Sequence, residues 1–94
     1  MSAREDLVSV LEEAKQLIAI PGNDFAWSTW DDCDEALAEL DSHIAMVRAG
    51  DRSKRLDLRV LFAPTGPLQE LSLSSGWAQS FLNLAARFDH VQNA

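Results

Sequence analysis

The sequence predicts an α+β fold with two N-terminal helices, a β-hairpin and a C-terminal helix, in which the helices pack on one face of the hairpin. Three stretches, 7–18, 30–47 and 77–88, repeat apolar residues at the three- and four-residue spacing of a helix. Between them, 56–62 and 71–73 show the apolar alternation typical of strands. The chain has 94 residues, a length that favours one domain spanning 1–94.

The first helix is predicted to begin at a capping box, in which Ser2 and Glu5 each satisfy a backbone N–H group at the helix start. We expect it to end before Pro21 and Gly22, because proline disfavours helical geometry in the preceding residue and glycine favours a turn. Its apolar face consists of Leu7, Val10, Leu11, Ala14, Leu17 and Ile18.

The second helix follows an aromatic loop. Either Ser28 or Thr29 can cap it, with Asp31 or Asp32 at the matching third position. We expect it to run to about residue 49, where Gly50 is well placed as the C-terminal cap. Its buried stripe is predicted to contain Trp30, Cys33, Leu37, Leu40, Ile44 and Val47.

The two strands are predicted to pair as a hairpin across the Pro- and Gly-rich turn 63–67. In the first strand, the residues expected to point to one side are Leu56, Leu58, Val60 and Phe62. In the second strand, Leu71 and Leu73 alternate with Glu70 and Ser72.

The last helix is predicted to begin at the Ser-Ser-Gly sequence 74–76 and to fray after Val91. Its apolar face is predicted to contain Trp77, Phe81, Leu84, Ala85 and Phe88. This helix and the two N-terminal helices would cover the hairpin, which is marginal in water by itself.

The chain carries 15 acidic and 8 basic residues, giving a net charge of −7 and an estimated pI of 4.5. A negative net charge repels phosphate groups, so we expect neither nucleic-acid binding nor attachment to an anionic membrane surface. A basic protein is the partner that the charge favours. The charged N-terminal segment lacks the apolar core of a signal peptide, and no apolar run approaches the roughly 20 residues that span a bilayer, so we expect a cytoplasmic location.

The sequence offers little support for catalysis. Its four glycines are scattered singly, which excludes a glycine-rich phosphate loop. Cys33, the only cysteine, lies on the apolar stripe and is interpreted as a small buried residue. Glu39 and His43 are four residues apart and can share a metal ion, but an ordinary surface pair on a helix explains them equally well. We therefore expect no enzyme activity, no metal and no cofactor.

The charges are unevenly distributed along the chain. The stretch from Gln16 to Val47 contains no lysine or arginine, whereas five of the eight basic residues fall within 48–59. The simplest interpretation of the basic stretch is a solvated loop that pairs locally with Asp51 and Asp57. Acidic residues at a helix start also have a structural explanation, because the helix dipole is positive there.

The candidate partner-binding residues combine two loop aromatics with the acidic side chains of the second helix. The aromatics can either cover the core or project as binding anchors. The candidates are Phe25, Trp27, Asp31, Asp32, Asp34, Glu35 and Asp41.

The segment 61–72, which reads LFAPTGPLQELS, is followed by Gly76-Trp77 and by the FLxLA pattern of 81–85. This combination resembles a group of small bacterial proteins of unassigned activity and covers roughly the last third of the chain. The resemblance implies a hairpin leading into a helix and carries over no active site.

Three classes of function follow from the sequence. The first is a non-enzymatic protein-binding module of the inhibitor or immunity type, which contacts a basic partner through the acidic second helix and the 25–30 loop. The second is a homodimeric structural or regulatory protein joined through the hairpin edges, since unpaired strand edges are adhesive. The third, a small enzyme, has the least support.

Overall fold

The computed structural model describes residues 2–26 and 28–94, and within these ranges the chain forms five α-helices and no β-strand. The helices are α1 (Ala3–Ile18), α2 (Cys33–Ala49), α3 (Arg55–Phe62), α4 (Pro67–Ser75) and α5 (Ala78–Val91). The predicted α+β fold is therefore wrong, because both segments predicted as strands of a hairpin lie in helices. The hairpin implied by the resemblance of 61–72 is wrong for the same reason.

Helix α3 shows why the alternating pattern misled. Its buried residues are Arg55, Leu58, Leu61 and Phe62, which recur at helical spacing. The alternating pattern requires Leu56 and Val60 to share the buried side with Leu58, but these two side chains are 71% and 50% exposed. In so short a run, the apolar residues fit both the two-residue spacing of a strand and the three- to four-residue spacing of a helix. The helix also satisfies its own backbone hydrogen bonds, whereas a strand needs a partner.

Helix α4 begins at Pro67, a position that suits proline because the first N–H group of a helix has no intrahelical acceptor. Leu68, Leu71 and Ser72 are buried, whereas Leu73 is 65% exposed. Gly76 ends the helix in the left-handed conformation with φ 87°. The sequence 74–76 was predicted to open the last helix, but it closes α4. Helix α5 begins at Ala78.

The two N-terminal helices agree better with the predictions. The Ser2 hydroxyl accepts a hydrogen bond from the Glu5 N–H at 3.1 Å, as the capping pattern indicated. Gly50 closes α2 in the left-handed conformation with φ 74°. The start of α2 was predicted too early: Asp32 is its N-cap, and the Ser28 hydroxyl instead bonds the backbone of Trp30.

One cluster of buried apolar side chains joins the five helices. Helix α1 packs against both α2 and α5, while α4 packs against α5 and α3. The rings of Phe62 and Phe88 stack with centroids 4.2 Å apart and an angle of 6° between their planes. Trp77, the N-cap residue of α5, and the α5 residues Phe81 and Leu84 are buried as predicted. Because α2 and α3 are not among the closely packed helix pairs, a cleft opens between them.

The loop between α1 and α2 is fixed by side-chain hydrogen bonds. The Asn23 amide group donates to the carbonyl oxygens of Leu17 and Ile18, both at 2.8 Å, and so caps the end of α1. Its carbonyl oxygen accepts a hydrogen bond from the Trp77 indole at 2.9 Å. This asparagine therefore links the end of α1 to the start of α5.

Candidate functional site

The acidic side chains of α2 lie on two different flanks of the helix. Because an α-helix turns about 100° per residue, Asp34 and Asp41 share one side, while Glu35 and Glu39 lie roughly a quarter-turn or more away. The Asp41 carboxylate pairs with the Lys15 ammonium of α1 at 2.6 Å. One flank therefore borders α1, and the other leads toward α3.

Two of the predicted partner-binding acids build the start of α2. The Asp32 carboxylate accepts a hydrogen bond from the Glu35 N–H at 2.9 Å, and the Glu35 carboxylate accepts one from the Asp31 N–H at 3.2 Å. This reciprocal pair satisfies N–H groups that have no acceptor inside the helix. Asp31 and Asp34 are exposed, and their carboxylates form no ion pair with any described residue.

Phe25, one of the two aromatics of the predicted binding surface, does not project as an anchor. Its side chain is half-buried and packs against the core. Trp27, the other predicted aromatic, lies outside the described residues. The structure therefore keeps the exposed acids of α2 as candidates and assigns Phe25 to the core boundary.

A cleft of about 380 Å³ between α2, α3 and the start of α4 brings together residues that the sequence analysis had separated. Its polar side chains come from two helices and the loop between them. The residues that line it are Glu39, Ser42, His43, Met46, Lys54, Asp57, Val60, Leu61 and Pro67.

His43 lies on the wall of this cleft and is only 7% exposed. It forms no hydrogen bond with a described residue, and no fully buried side-chain nitrogen or oxygen among these residues lacks a partner, so its ring nitrogens are accessible to solvent. Burial lowers the pKa of His43; Glu39 and Asp57 oppose this shift, and the positive charges of Arg55 and Lys54 add to it. The imidazole is therefore neutral at pH 7.

The charged side chains around the cleft do not neutralise one another. Among the residues that line the cleft, two carry a carboxylate, Glu39 and Asp57, and one carries an ammonium group, Lys54. Lys54 and Asp57 approach to 4.0 Å, and their side chains are 57% and 65% exposed. Solvent weakens such a pair, so Lys54 is readily displaced. The lining residues therefore carry a formal charge of −1 with His43 neutral, whereas the guanidinium of Arg55, which also acts on His43, is bonded to backbone oxygens of residues 92–94.

The outer face of α3 adds apolar surface beside the cleft. Leu56 and Val60 are four residues apart and both point to solvent, and Val60 also lines the cleft. Met46 and Pro67 continue this apolar surface on α2 and α4. The arrangement combines an apolar wall with an acidic rim, which can bind a side chain that has an aliphatic stem and a cationic head.

Three arginines of the basic stretch 48–59 contact the last residues of the chain. Arg55, which is 7% exposed, donates to backbone oxygens of residues 92–94 at 2.9 and 2.7 Å, and Arg52 donates to the same segment at 3.1 and 2.9 Å. Arg59 reaches the side-chain oxygen of Asn93 at 3.2 Å. Burial and the neighbouring Arg52 and Arg59 lower the pKa of Arg55. These arginines hold the end of α5, where the helix dipole favours positive charge.

Cys33 packs against the core, as its position on the apolar stripe predicted, but it is not fully buried. It is half-buried, and its Sγ lies 3.6 Å from the Ile18 carbonyl oxygen. Burial, together with the carboxylates of Asp34 and Asp32, raises the pKa of the thiol. A raised pKa disfavours the thiolate form that a cysteine nucleophile requires.

Across 2–26 and 28–94, no group of three or more histidine, cysteine, aspartate or glutamate side chains is placed to hold a metal ion. Every helix in those same ranges is too short or too polar to cross a bilayer. Comparison with protein-family models, with curated proteins and with solved structures gives no match.

Glu39 and His43 are recognisable as helix neighbours from their spacing, but the α3 side of their site is not. Asp57 and Val60 were assigned to a strand, which hid their position opposite α2. The signal that would have placed them is the three- and four-residue spacing of Leu58, Leu61 and Phe62.

Proposed function

We propose that this protein is a non-enzymatic binding module that recognises a basic segment of another protein, as an inhibitor or immunity-type protein does. The binding surface consists of Glu39 of α2 together with the cleft between α2 and α3, and we call it the α2–α3 surface. The exposed Asp31 and Asp34 near the start of α2 lie outside this surface and add only to the long-range negative potential. The observation that carries the proposal is the juxtaposition of the unpaired Glu39 carboxylate with exposed apolar side chains of α3.

Electrostatics supports a basic partner. Among the described acids of α2, Asp32 and Glu35 are engaged in capping and Asp41 in an ion pair, but Glu39 forms neither contact. The free carboxylates of Asp31, Asp34 and Glu39, together with the net charge of −7, attract a basic surface over long range and speed its association. The engagement of Arg52, Arg55 and Arg59 with residues 92–94 supports the view that nucleic acid is not the partner.

The alternative proposed from the sequence, a homodimer joined through hairpin edges, loses its physical basis. Residues 56–62 and 71–73 lie in α3 and α4, so their backbone N–H and C=O groups bond within helices instead of forming an open strand edge.

The test is selection of binding peptides from a random peptide library displayed on phage, followed by measurement of their dissociation constants. We expect the selected peptides to carry lysine or arginine beside aliphatic or aromatic residues. Glu39→Lys should weaken their binding by about tenfold, because it replaces attraction by repulsion at the rim. Higher salt should weaken binding to the unmodified protein.

The matched control is Asp89→Lys, which makes the same charge change at an exposed position of α5 beside a different groove. It should leave the dissociation constants within about twofold of those of the unmodified protein, because the peptide does not contact α5. Selection of acidic peptides, selection of none, or equal loss of binding in both variants would refute the proposed function.

A further inference from the structure

The histidine of the cleft offers ring nitrogens that no described residue occupies. Buried polar side chains in folded proteins are nearly always hydrogen-bonded to protein or to ordered water. His43 is 7% exposed, bonds no described residue and lines the same cleft as Glu39, and its unbonded ring nitrogens remain accessible to solvent. A ligand that fills the cleft therefore meets a hydrogen-bonding group already held in place by the core.

The surroundings of His43 define the chemistry of that ligand. Two carboxylates and one weakly paired ammonium leave a single negative charge to be balanced, which suits one cationic group. The apolar wall formed by Met46, Val60, Leu61 and Pro67 suits an aliphatic stem. A basic side chain satisfies both conditions.

We propose that the α2–α3 cleft receives the side chain of one arginine of the partner, with the guanidinium group between Glu39 and Asp57 and the His43 imidazole as a hydrogen-bond acceptor. This inference rests on the proposed function and names the anchor of the partner. Arginine fits better than lysine because its planar group has five donors fixed in a fork and is more weakly hydrated. It can therefore bond acceptors on α2 and α3 at the same time. As it enters, it takes the place of Lys54 beside Asp57.

The probe is N-acetyl-arginine N-methylamide, added to the whole protein and followed by NMR of the backbone amides and the His43 ring. The control probe is the citrulline analogue, which has the same shape without the charge. We expect saturable shifts at His43, Glu39 and Asp57 with the arginine probe and none with citrulline. Binding of the arginine probe in the cleft should also lower the pKa of His43, because a nearby cation and a hydrogen bond to the neutral ring both disfavour protonation.

Glu39→Gln and Asp34→Asn form a matched pair, since each removes one negative charge from an exposed position of α2. Glu39→Gln should weaken binding of the arginine probe by about tenfold, and Asp34→Asn by less than about twofold, because only Glu39 lines the cleft. Both exchanges lie on the surface, and thermal melts will confirm that the variants remain folded.

Different results separate the two proposals. If basic peptides bind the α2–α3 surface but the arginine probe gives no saturable shifts, or shifts only residues outside the cleft, the arginine pocket is refuted and the binding module stands. Equal binding of citrulline and arginine also refutes the pocket. If neither the selected peptides nor the probe binds, both proposals fail.

Discussion

Replacing Gly66 by alanine tests the close approach of the α3–α4 turn to the end of α3. Gly66 is buried and is the N-cap of α4, with an ordinary φ of −79°. A Cβ atom there would fall well inside contact distance of the Val60 carbonyl oxygen, and would lie 2.9 Å from that of Ala63 and 3.4 Å from that of Leu61. The obstacles are backbone atoms of a packed helix end, which cannot rotate out of the way.

The expected loss of stability follows from these contacts. Inserting atoms into a packed site costs about 1–3 kcal/mol, and we expect the upper end because relief requires α3 to move relative to α4. Alanine also has less conformational freedom than glycine in the unfolded chain, and this effect offsets only about 0.4–1 kcal/mol of the loss. The variant Gly66→Ala should therefore lose about 2 kcal/mol or more of its free energy of unfolding.

The control is Gly76→Ala. Gly76 has φ 87°, a conformation that is unfavourable for alanine, but nothing lies within 4 Å of an added Cβ. Its cost is the backbone strain alone, about 1 kcal/mol. Backbone φ considered alone would rank Gly76 as the more sensitive position, whereas the contacts rank Gly66 first.

The assay is urea and thermal unfolding followed by far-ultraviolet circular dichroism. For a domain of this size, each kcal/mol corresponds to roughly 4–8 °C in Tm, so the two variants should melt several degrees apart. A Gly66→Ala protein that is as stable as Gly76→Ala would contradict the described packing of the turn. Because Val60 and Pro67 line the cleft, the same variant should also bind the selected peptides more weakly.

Three further predictions follow from single contacts. Phe88→Ala should cost about 3–5 kcal/mol in chemical denaturation, because it removes a ring that is 2% exposed and stacked on Phe62; a loss below about 1 kcal/mol would contradict this packing. Asp32→Ala should cost about 1 kcal/mol through loss of the α2 N-cap, whereas the neighbouring exposed variant Asp34→Ala should change thermal stability much less; equal effects would contradict the capping role. The pKa of His43 is lowered on folding, so the unfolded chain takes up the proton first as the pH falls; the free energy of unfolding should decrease below about pH 6.5 until the folded imidazole is protonated. His43→Gln should remove this part of the pH dependence, and an unchanged pH profile in that variant would show that other groups cause it.

Much of the candidate site could be predicted at the level of residue type. The charge asymmetry indicated that α2 is the acidic element, and the spacing of Glu39 and His43 placed them on neighbouring turns of one helix. The role of individual acids could not be predicted, because capping and ion pairing depend on which groups lie nearby. Asp32 meets the Glu35 N–H through local chain geometry, but Asp41 meets Lys15 only because α1 packs against α2.

The sequence by itself determined α1, the end of α2 and the buried face of α5, because caps, glycine stops and a long 3.6-residue period are local properties of the chain. Only the tertiary structure decided that 55–62 and 67–75 are helical. Runs of eight or nine residues contain too few apolar positions to distinguish a strand period from a helix period. Their outcome depends on the core they join: Leu58, Leu61 and Phe62 are buried together only when the segment is helical, and that same helix places Asp57 and Val60 opposite His43.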